Sequence, residues 1–522
     1  MLKRFLHLSG GGAFVRVARF VGLLILLVFA ASGGVAQAAS SDLVSRLERL
    51  LSRAPLARAS VGIYVERESD GRVIFEQGAD RLLIPASNQK ILTGLATLER
   101  FGPTHRFSTR IWAPEAIDGE GMVSELLVEG GGDPAMNSED WWRLAADLRQ
   151  AGLRGVRGDV RIDDTLFDGP GWHPSWGAVS ARAYHAPVGA LTANYGTFFV
   201  SIWPQTTPGS SVLVDIDPPV PYLRLRNLAK TASPKARPKL TVDRVAGRSS
   251  DGPAEEVVKV SGVARLGDSV DRFPRSVLDP GLYAGSVLAY QMRANGIDIG
   301  GEVRRAPRGS ESLALVLDRP GRTVSEAVTL CLKYSNNSIA ESLVKNLGAW
   351  EGAGPGDGPT RQGGWVSGIR ALRRELESRG VELTRATLVD GSGLSIQNRI
   401  TPRMLADALK VGRSSFRSGP EFVAALPIAE RDGTLEKRLD GMVGRIRAKT
   451  GLLSDASVTA LSGFAERADG EVLIFSILVN GHSGGSSGAM DAVDRMAQVL
   501  LDAPLPAMPR SEEGARSAAI AN

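Results

Sequence analysis

Helical spacing of apolar residues marks both ends of the chain. After Pro85, the residues Ile91, Leu92, Leu95 and Leu98 form one apolar face, because residues three and four apart lie on the same side of a helix. The same spacing predicts further helices, by residue number, over 42–53, 140–150, 281–295, 324–347, 366–379, 402–409 and 491–501. The pattern predicts helix-rich regions on either side of a middle segment, residues 109–274, that has few helical patterns.

Strand patterns occur near both ends of the chain and throughout its middle segment. Residues 59–65 read as a strand near the start, and Ala456–Phe464 and Glu471–Val479 are spaced as adjacent antiparallel strands around a Gly-containing turn. Between residues 109 and 274 short strand-like runs alternate with Gly, Pro and Asp turns, at 125–129, 159–162, 198–203, 212–216 and 257–263, and 230–239 reads as a surface loop. The sequence therefore predicts an α/β (α+β) domain interrupted by a β-rich insertion.

The first 38 residues have the features of a signal peptide. Basic residues flank an apolar run at 20–31, and Ala36-Gln37-Ala38 offers small residues for cleavage. The run is shorter than the roughly 20 residues that cross a bilayer as a helix, although an uncleaved anchor is the alternative. We expect an exported, periplasmic protein with a discontinuous domain at 39–108 and 275–502, an insert at 109–274 and a disordered tail at 503–522.

Charge and composition narrow the possible functions. The leader holds four of the 62 basic residues and none of the 57 acidic ones, so the remainder carries a net charge of only +1. Without a basic field or a basic run interleaved with aromatics, nucleic-acid binding is not expected. The single cysteine, Cys331, permits no intramolecular disulfide, and the five scattered histidines indicate neither a metal site nor a cofactor.

Three short motifs contain residues with catalytic chemistry. Ser87 and Lys90 lie three residues apart at the start of a predicted helix, so a lysine amine can act as base for a serine hydroxyl if burial lowers the lysine pKa. Taken alone, this pair is common enough to arise by chance.

The second motif, Ser335-Asn336-Asn337, interrupts an apolar helical stretch with three small polar residues. It is either a solvated kink between two helices or a functional break. In the functional interpretation Ser335 relays a proton to the leaving group, and Asn337 orients Lys90 and the substrate amide.

The third motif, Lys449-Thr450-Gly451, precedes the predicted strand pair. It is either an exposed turn or a strand edge where Gly451 permits close approach of substrate backbone. In the latter case Lys449 is a fixed cation, and Thr450, Gly451 and Leu452 contact substrate.

The order Ser-x-x-Lys, Ser-x-Asn, Lys-Thr-Gly is the set found in penicillin-binding proteins and serine β-lactamases. With its large insert between the first two motifs, the chain resembles the low-molecular-mass penicillin-binding D-Ala-D-Ala carboxypeptidases and endopeptidases. Four further segments resemble the same family: 130–134, 186–191, 390–395 and 432–435. The resemblance implies a penicillin-recognising serine transpeptidase/β-lactamase-like domain, with an antiparallel sheet flanked by helices.

The resemblance also implies residue roles. Ser87 is acylated, Lys90 is the base, and Ser335, Asn337 and Lys449 complete proton transfer, with the oxyanion between the backbone amides of Ser87 and Leu452. The expected partners are peptidoglycan stem peptides, their cross-links and β-lactam inhibitors. Oligomeric state and peripheral membrane association are left open.

Two positions depart from the family pattern. Relatives usually have Ser or Thr after Lys-Thr-Gly and often Arg after Gly-Ser-Gly-Leu-Ser, whereas this chain has Leu452 and Ile396. These changes affect contact with the terminal carboxylate and with the diamino-acid side chain of the stem peptide. By resemblance, Asp163 and Phe167 line the pocket for that side chain, although a strand ending in a turn explains Asp163 equally well.

Two rival functions differ from this expectation. A serine β-lactamase or esterase needs rapid deacylation, which in one large class uses a Glu-x-x-Leu-Asn segment. The nearest match, residues 436–440, ends in Asp and reads as a surface turn. A non-catalytic wall-binding scaffold is the other alternative, and the intact Ser87 and Lys90 argue against it.

Overall fold

The computed structural model describes residues 42–247, 255–354 and 357–505. The predicted leader and residues 506–522 of the predicted disordered tail lie outside the described residues. Among the described residues, no helix is long and apolar enough to cross a membrane.

Ten helices and twenty strands have defined positions in the described chain. The helices are α1 (42–51), α2 (Gln89–Phe101), α3 (Ser138–Gln150), α4 (Pro280–Ala294), α5 (Val324–Lys333), α6 (Asn337–Ala349), α7 (Trp365–Glu377), α8 (Pro402–Ser414), α9 (Gly419–Ala425) and α10 (Ser486–Asp502). The strands are β1 (Ser60–Arg67), β2 (Val73–Gln77), β3 (Arg106–Ala113), β4 (Met122–Val123), β5 (Leu126–Glu129), β6 (Gly155–Val156), β7 (Val160–Asp163), β8 (Thr197–Trp203), β9 (Leu213–Asp217), β10 (Leu223–Asn227), β11 (Lys230–Ala232), β12 (Lys239–Ala246), β13 (Glu256–Arg265), β14 (Asp271–Ser276), β15 (Asp298–Ile299), β16 (Val303–Arg305), β17 (Ala314–Thr323), β18 (Ile446–Leu453), β19 (Val458–Glu466) and β20 (Val472–Asn480).

An antiparallel sheet in the order β18-β19-β20-β1-β2 joins the two ends of the chain. The predicted hairpin near the end is confirmed as β19 and β20, which pair from Val458 with Asn480 to Glu466 with Val472. β1 then pairs along the other edge of β20, from Ser60 with Asn480 to Arg67 with Leu473. The N-terminal strand therefore completes a sheet made mostly by the C-terminal segment.

Side chains of β20 point alternately to two helical layers. Phe475 and Ile477 pack in a core with Leu43 and Leu47 of α1 and with the apolar face of α10. Ile474 and Leu478 face the opposite core, which α2 and the helices from α5 to α9 supply. Because successive strand residues point to opposite faces, one continuous apolar strand serves both layers. The predicted helix-flanked antiparallel sheet is confirmed.

The insertion has a separate core and runs further than predicted. Its largest sheet has the order β16-β7-β5-β3-β17, and Trp141 of α3 and Tyr283 of α4 are buried in its core. β17 pairs with β3 from Ala314 with Ala113 to Thr323 with Arg106. The predicted end of the insert at residue 274 is therefore wrong, because β17 returns to the strand that opens the insertion. The predicted loop at 230–239 also begins with strand β11.

Candidate active site

Ser87 lies in a single 3₁₀ turn, Ala86–Asn88, immediately before α2. Ala86 is fully buried with a φ of +48°, and the Asn88 side chain donates to the Ser462 hydroxyl of β19 at 2.7 Å. A Cβ on Gly451 of β18 would stand 3.0 Å from the carbonyl oxygen of Pro85. The turn that carries Ser87 is thus fixed against the sheet, and glycine permits the close approach of β18.

Lys90 has three oxygen neighbours around a fully buried amine. Its Nζ lies 3.0 Å from the Ser87 hydroxyl, 2.7 Å from the Asn337 side-chain oxygen and 2.7 Å from the carbonyl oxygen of Ser392. Burial lowers the pKa of Lys90 to about 8. A neutral amine has two N–H donors and one lone pair. If Asn337 and Ser392 accept the two N–H groups, the lone pair faces the Ser87 hydroxyl, which is the geometry that a general base requires.

The predicted break in the helical stretch is confirmed at the second motif. α5 ends at Lys333, Ser335 adopts a left-handed φ of +56°, and the Asn336 side chain caps the start of α6 by accepting from the amide of Ile339. The strained residue and the cap turn the chain so that Ser335 and Asn337 reach the neighbourhood of Lys90. The break places Ser335 and Asn337 beside the two buried lysines, and their roles in the reaction stay predictions.

Lys449 lies on β18 and is fully buried. Its Nζ donates to the Ser335 hydroxyl at 2.8 Å and to the carbonyl oxygen of Thr450 at 2.8 Å. Burial first and the neighbouring Lys90 second lower the pKa of Lys449 well below its usual value. β18 begins the sheet order, and residues 427–429 bond to its outer side at Ile446 and Ala448, so the edge that the third motif predicts begins at Lys449. Thr450 contacts the Thr434 hydroxyl at 2.8 Å, whereas Leu452 is 41% exposed.

The structure therefore groups Ser87, Lys90, Ser335, Asn337 and Lys449 as two neighbouring hydrogen-bonded sets. Ser87 and Asn337 both contact Lys90, and Lys449 contacts Ser335. Three motifs that lie far apart in the chain meet where α2, the start of α6 and β18 converge. The predicted oxyanion site between the amides of Ser87 and Leu452 stays a prediction.

The insert contributes backbone and side chains to this site. The Asn337 amide donates to the carbonyl oxygen of Tyr184 at 2.9 Å, so the side-chain oxygen of Asn337 is left to face Lys90. Ser175 and Trp176 bind Ser395 and Asp390, both at 2.8 Å. Sequence reasoning missed the carbonyl groups of Tyr184 and Ser392, because any residue supplies a carbonyl and only the fold places it.

Asp163 and Phe167 lie at the junction with the insert. Both residues line cavities at the junction with the insert, of about 540 and 510 Å³ respectively, and none of the five grouped residues lines either cavity. The Asp163 carboxylate already accepts from Thr165 and from the backbone amide of Arg308. The part that Asp163 and Phe167 play in a pocket for the diamino-acid side chain stays a prediction.

The nearest match to a deacylating segment is also placed outside the site. Arg438 forms an ion pair with Asp494 of α10 at 2.6 Å, and Leu439 is buried in the core beneath α10. In the described part of the chain, no group of three or more His, Cys, Asp or Glu residues could hold a metal ion. The chemistry of the grouped residues is that of a serine nucleophile with a lysine base.

Fold and site together are those of a serine hydrolase on a penicillin-recognising fold. Residues 43–501 match the model of the D-Ala-D-Ala carboxypeptidase 3 (S13) family, and the chain belongs to this family. It is therefore an enzyme, a serine-type D-Ala-D-Ala carboxypeptidase.

Individual proteins of known name agree with this membership. A D-alanyl-D-alanine carboxypeptidase of an Actinomadura species is 32% identical over 498 residues, which cover 91% of this chain and 89% of the relative. The crystal structure of penicillin binding protein 4 from Haemophilus influenzae superposes with a TM-score of 0.73 at 22% identity, covering 87% of this chain and 98% of that protein. The same protein complexed with a β-lactam superposes at a TM-score of 0.68, 22% identity and the same coverage.

Proposed function

We propose that this enzyme cleaves D-Ala-containing peptide bonds of peptidoglycan through an acyl-enzyme on Ser87, acting on both stem-peptide ends and cross-links. The observation that carries the proposal is the placement of the Lys90 amine 3.0 Å from the Ser87 hydroxyl, with two other acceptors available for its N–H groups. This arrangement activates a serine without histidine or metal.

The proposed reaction has two steps. Lys90 takes the Ser87 proton while the hydroxyl oxygen attacks the D-Ala carbonyl carbon. The C–N bond then breaks as Ser335 gives its proton to the leaving amine and recovers one from protonated Lys90. Lys449 donates a hydrogen bond to Ser335 at 2.8 Å, which stabilises the electron-rich oxygen while that hydroxyl gives up its proton. Water then hydrolyses the ester and frees Ser87.

The leaving amine decides which activity is observed. Release of terminal D-Ala is carboxypeptidase action, whereas release of the amino group of a neighbouring stem peptide opens a cross-link and is endopeptidase action. The first step is common to both, so one acyl-enzyme serves two substrates. A β-lactam ring contains a carbonyl group that Ser87 can attack in the same way. We propose that β-lactams acylate Ser87 and that hydrolysis of this acyl-enzyme is slow.

We also propose that the enzyme works in the periplasm. The leader-like residues 1–38 support export, and peptidoglycan, the proposed substrate, lies outside the cytoplasmic membrane. Intact-mass measurement of the chain purified from the periplasm tests this, since a start near Ala39 is expected. A full-length mass in the cytoplasmic fraction would contradict it.

Intact-mass analysis after exposure to penicillin tests the acyl-enzyme. We expect a stable mass increase on the wild type and none on Ser87→Ala. A matched control is Ser52→Ala, because the exposed Ser52 hydroxyl contacts only the carbonyl oxygen of Arg49 and its loss should leave the adduct intact. An adduct on Ser87→Ala would show that another residue is the nucleophile, and rapid penicillin turnover would favour the β-lactamase or esterase alternative.

A digest of purified muropeptides separates the two activities. Loss of terminal D-Ala from monomers reports carboxypeptidase action, and conversion of cross-linked dimers to monomers reports endopeptidase action. If neither product forms and no penicillin adduct appears, the wall-binding scaffold becomes the better interpretation.

A further inference from the structure

Glu341 is a fully buried carboxylate within α6, one turn after Asn337. Its oxygens accept from the amide of Ser392 at 2.7 Å, from the amide of Gly391 at 3.0 Å and from the Trp365 indole at 2.8 Å. Three donors converge on one side chain, so its position is strongly fixed. Two of them belong to a loop, residues 390–393, that lies against the catalytic group.

The other side of that loop faces the catalytic serine and lysine. The carbonyl oxygen of Ser392 accepts from Lys90 at 2.7 Å, and the Thr93 hydroxyl of α2 donates to the carbonyl oxygen of Gly391 at 2.7 Å. A Cβ on Gly393, whose φ is +77°, would stand 1.8 Å from the carbonyl oxygen of Ala86. The loop is thus held between Glu341 and α2, in contact with the turn that carries Ser87.

We propose that Glu341 is a positioning residue for the reaction, because it holds the loop whose Ser392 carbonyl accepts one N–H of Lys90 and so aims the lysine lone pair at Ser87. The inference rests on the proposed role of Lys90 as the base. No contact of Glu341 with substrate is required. The carboxylate suits this task because it accepts hydrogen bonds through both oxygens and donates none when ionised.

Charge adds a second effect of the same residue. Burial first, and the nearby Asp390 second, raise the pKa of Glu341 to about 7. Once ionised, Glu341 raises the pKa of Lys90 against the larger lowering by burial. Cys331 and Lys345 also interact electrostatically with Glu341. Loss of the negative charge should therefore lower the pKa of Lys90, whatever happens to the loop.

The test is the rate of acylation by penicillin as a function of pH, measured by time-resolved intact mass on the full chain. In Glu341→Gln, one acceptor becomes an NH₂ group that faces a backbone or indole donor. We expect the plateau rate to fall about tenfold to a hundredfold, a part of the 10²–10⁴ that a general base contributes. We also expect the midpoint of the profile to move down by roughly half a pH unit or more, since a nearby opposite charge is lost.

Glu341→Asp separates the two effects. It keeps the charge but is one methylene shorter, so we expect a lower plateau with the wild-type midpoint. Glu99→Gln is the matched control for loss of a buried carboxylate: Glu99 lies on α2 and pairs with Arg379 at 2.8 Å, outside the catalytic group. We expect Glu99→Gln to keep the wild-type rate and midpoint in the folded fraction.

Wild-type plateau and midpoint in Glu341→Gln would overturn the proposal. So would a plateau loss no larger than that of Glu99→Gln with no change of midpoint, because this is the signature of a purely structural role. If Glu341→Gln does not fold, Thr93→Val carries the test. It removes the hydrogen bond between the α2 hydroxyl and Gly391 of the loop, and we expect a several-fold lower plateau at an unchanged midpoint. A wild-type plateau would again contradict the proposal.

Failure of this inference is distinguishable from failure of the proposed function. The profile uses formation of the penicillin adduct on Ser87, which the wild type must show. If the wild type forms the adduct but releases no D-Ala, the substrate assignment is wrong while the role of Glu341 is still measured. If Lys90→Met forms the adduct at the wild-type rate, Lys90 is not the base and this inference falls with it.

Discussion

Two buried lysines of the same domain, Lys90 and Lys345, differ in their partners rather than in their burial. Burial lowers the pKa of each to about 8. Lys90 contacts a serine hydroxyl, whereas Lys345 donates to the carbonyl oxygen of Asp168 at 2.6 Å and lies 3.9 Å from the centre of the Trp365 ring. An aromatic face favours the ammonium form, while a hydroxyl proton can be taken only by the neutral amine. A lowered pKa alone therefore does not identify a base.

The largest expected effect comes from replacing each of the two lysines and measuring the rate of penicillin acylation. Lys90→Met should lower the rate of penicillin acylation by about 10²–10⁴, the range that general base catalysis contributes. Lys345→Met should leave the rate within about twofold, because Lys345 contacts none of the five grouped residues. Time-resolved intact mass at pH 8.5 measures both. Equal losses would mean that the two lysines act through one shared structure.

The next expected effect is the dependence of acylation on pH. Acylation requires neutral Lys90, whose pKa is about 8, so the rate should rise about tenfold per pH unit below pH 8 and level off above it. In Lys345→Met the profile should keep its shape with at most a small change of midpoint, because Lys345 reaches Lys90 through its electrostatic interaction with Glu341. A profile that still rises steeply above pH 9 would contradict the assignment of the midpoint to Lys90.

For Lys345, the lowered pKa should appear in the pH dependence of protein stability rather than of catalysis. The pKa of Lys345 is about 8 in the folded chain and 10.5 in its usual state, so the unfolded chain binds more protons between these values. The free energy of unfolding therefore rises with pH from about 8 to about 10.5, by at most roughly 3 kcal/mol for one such lysine. Denaturant unfolding at several pH values should show a smaller rise in Lys345→Met than in the wild type. An identical rise in both would show that Lys345 is not the source.

Sequence reasoning located the catalytic side chains but not what holds them. Ser87, Lys90 and the break at Ser335 were predictable, because helical spacing and an interruption by polar residues are local properties of the chain. The end of the insert was not, since β17 pairs with β3 across about two hundred residues of sequence. Strand pairing over that distance leaves no local pattern.

Three contributors to the site were outside the reach of motif reasoning. The carbonyl groups of Ser392 and Tyr184 are common to all residues, so only the fold gives them a role. Glu341 had a weak signal, as an acidic residue within an apolar helical stretch close behind Asn337. Asp163 stays a prediction: it lines a cleft at the junction with the insert, and its carboxylate also accepts hydrogen bonds from its own neighbours.

The smallest expected effect is a change of kcat/KM when a charged residue replaces Ile396 at the protein surface. Ile396 is 55% exposed and directly follows Ser395, which contacts Ser175 of the insert. Relatives that the sequence resembles often carry arginine here. An exposed ion pair contributes about 0.2–1 kcal/mol, so Ile396→Arg should raise kcat/KM by at most about fivefold for stem peptides with a free carboxylate on the third side chain. Peptides whose third side chain is amidated should be cleaved at the unchanged rate.

Cleavage of these two substrates by wild type and by Ile396→Arg also compares an exposed charge with the buried charge of Lys90. An arginine at this exposed position stays charged and well solvated, so raising the salt concentration should remove the gain by screening. The penicillin acylation midpoint should not move, because Lys90 is buried away from that solvent. A shifted midpoint would mean that a charge at position 396 changes the pKa of Lys90, and the assumption that this surface position does not affect the buried lysine would then be wrong.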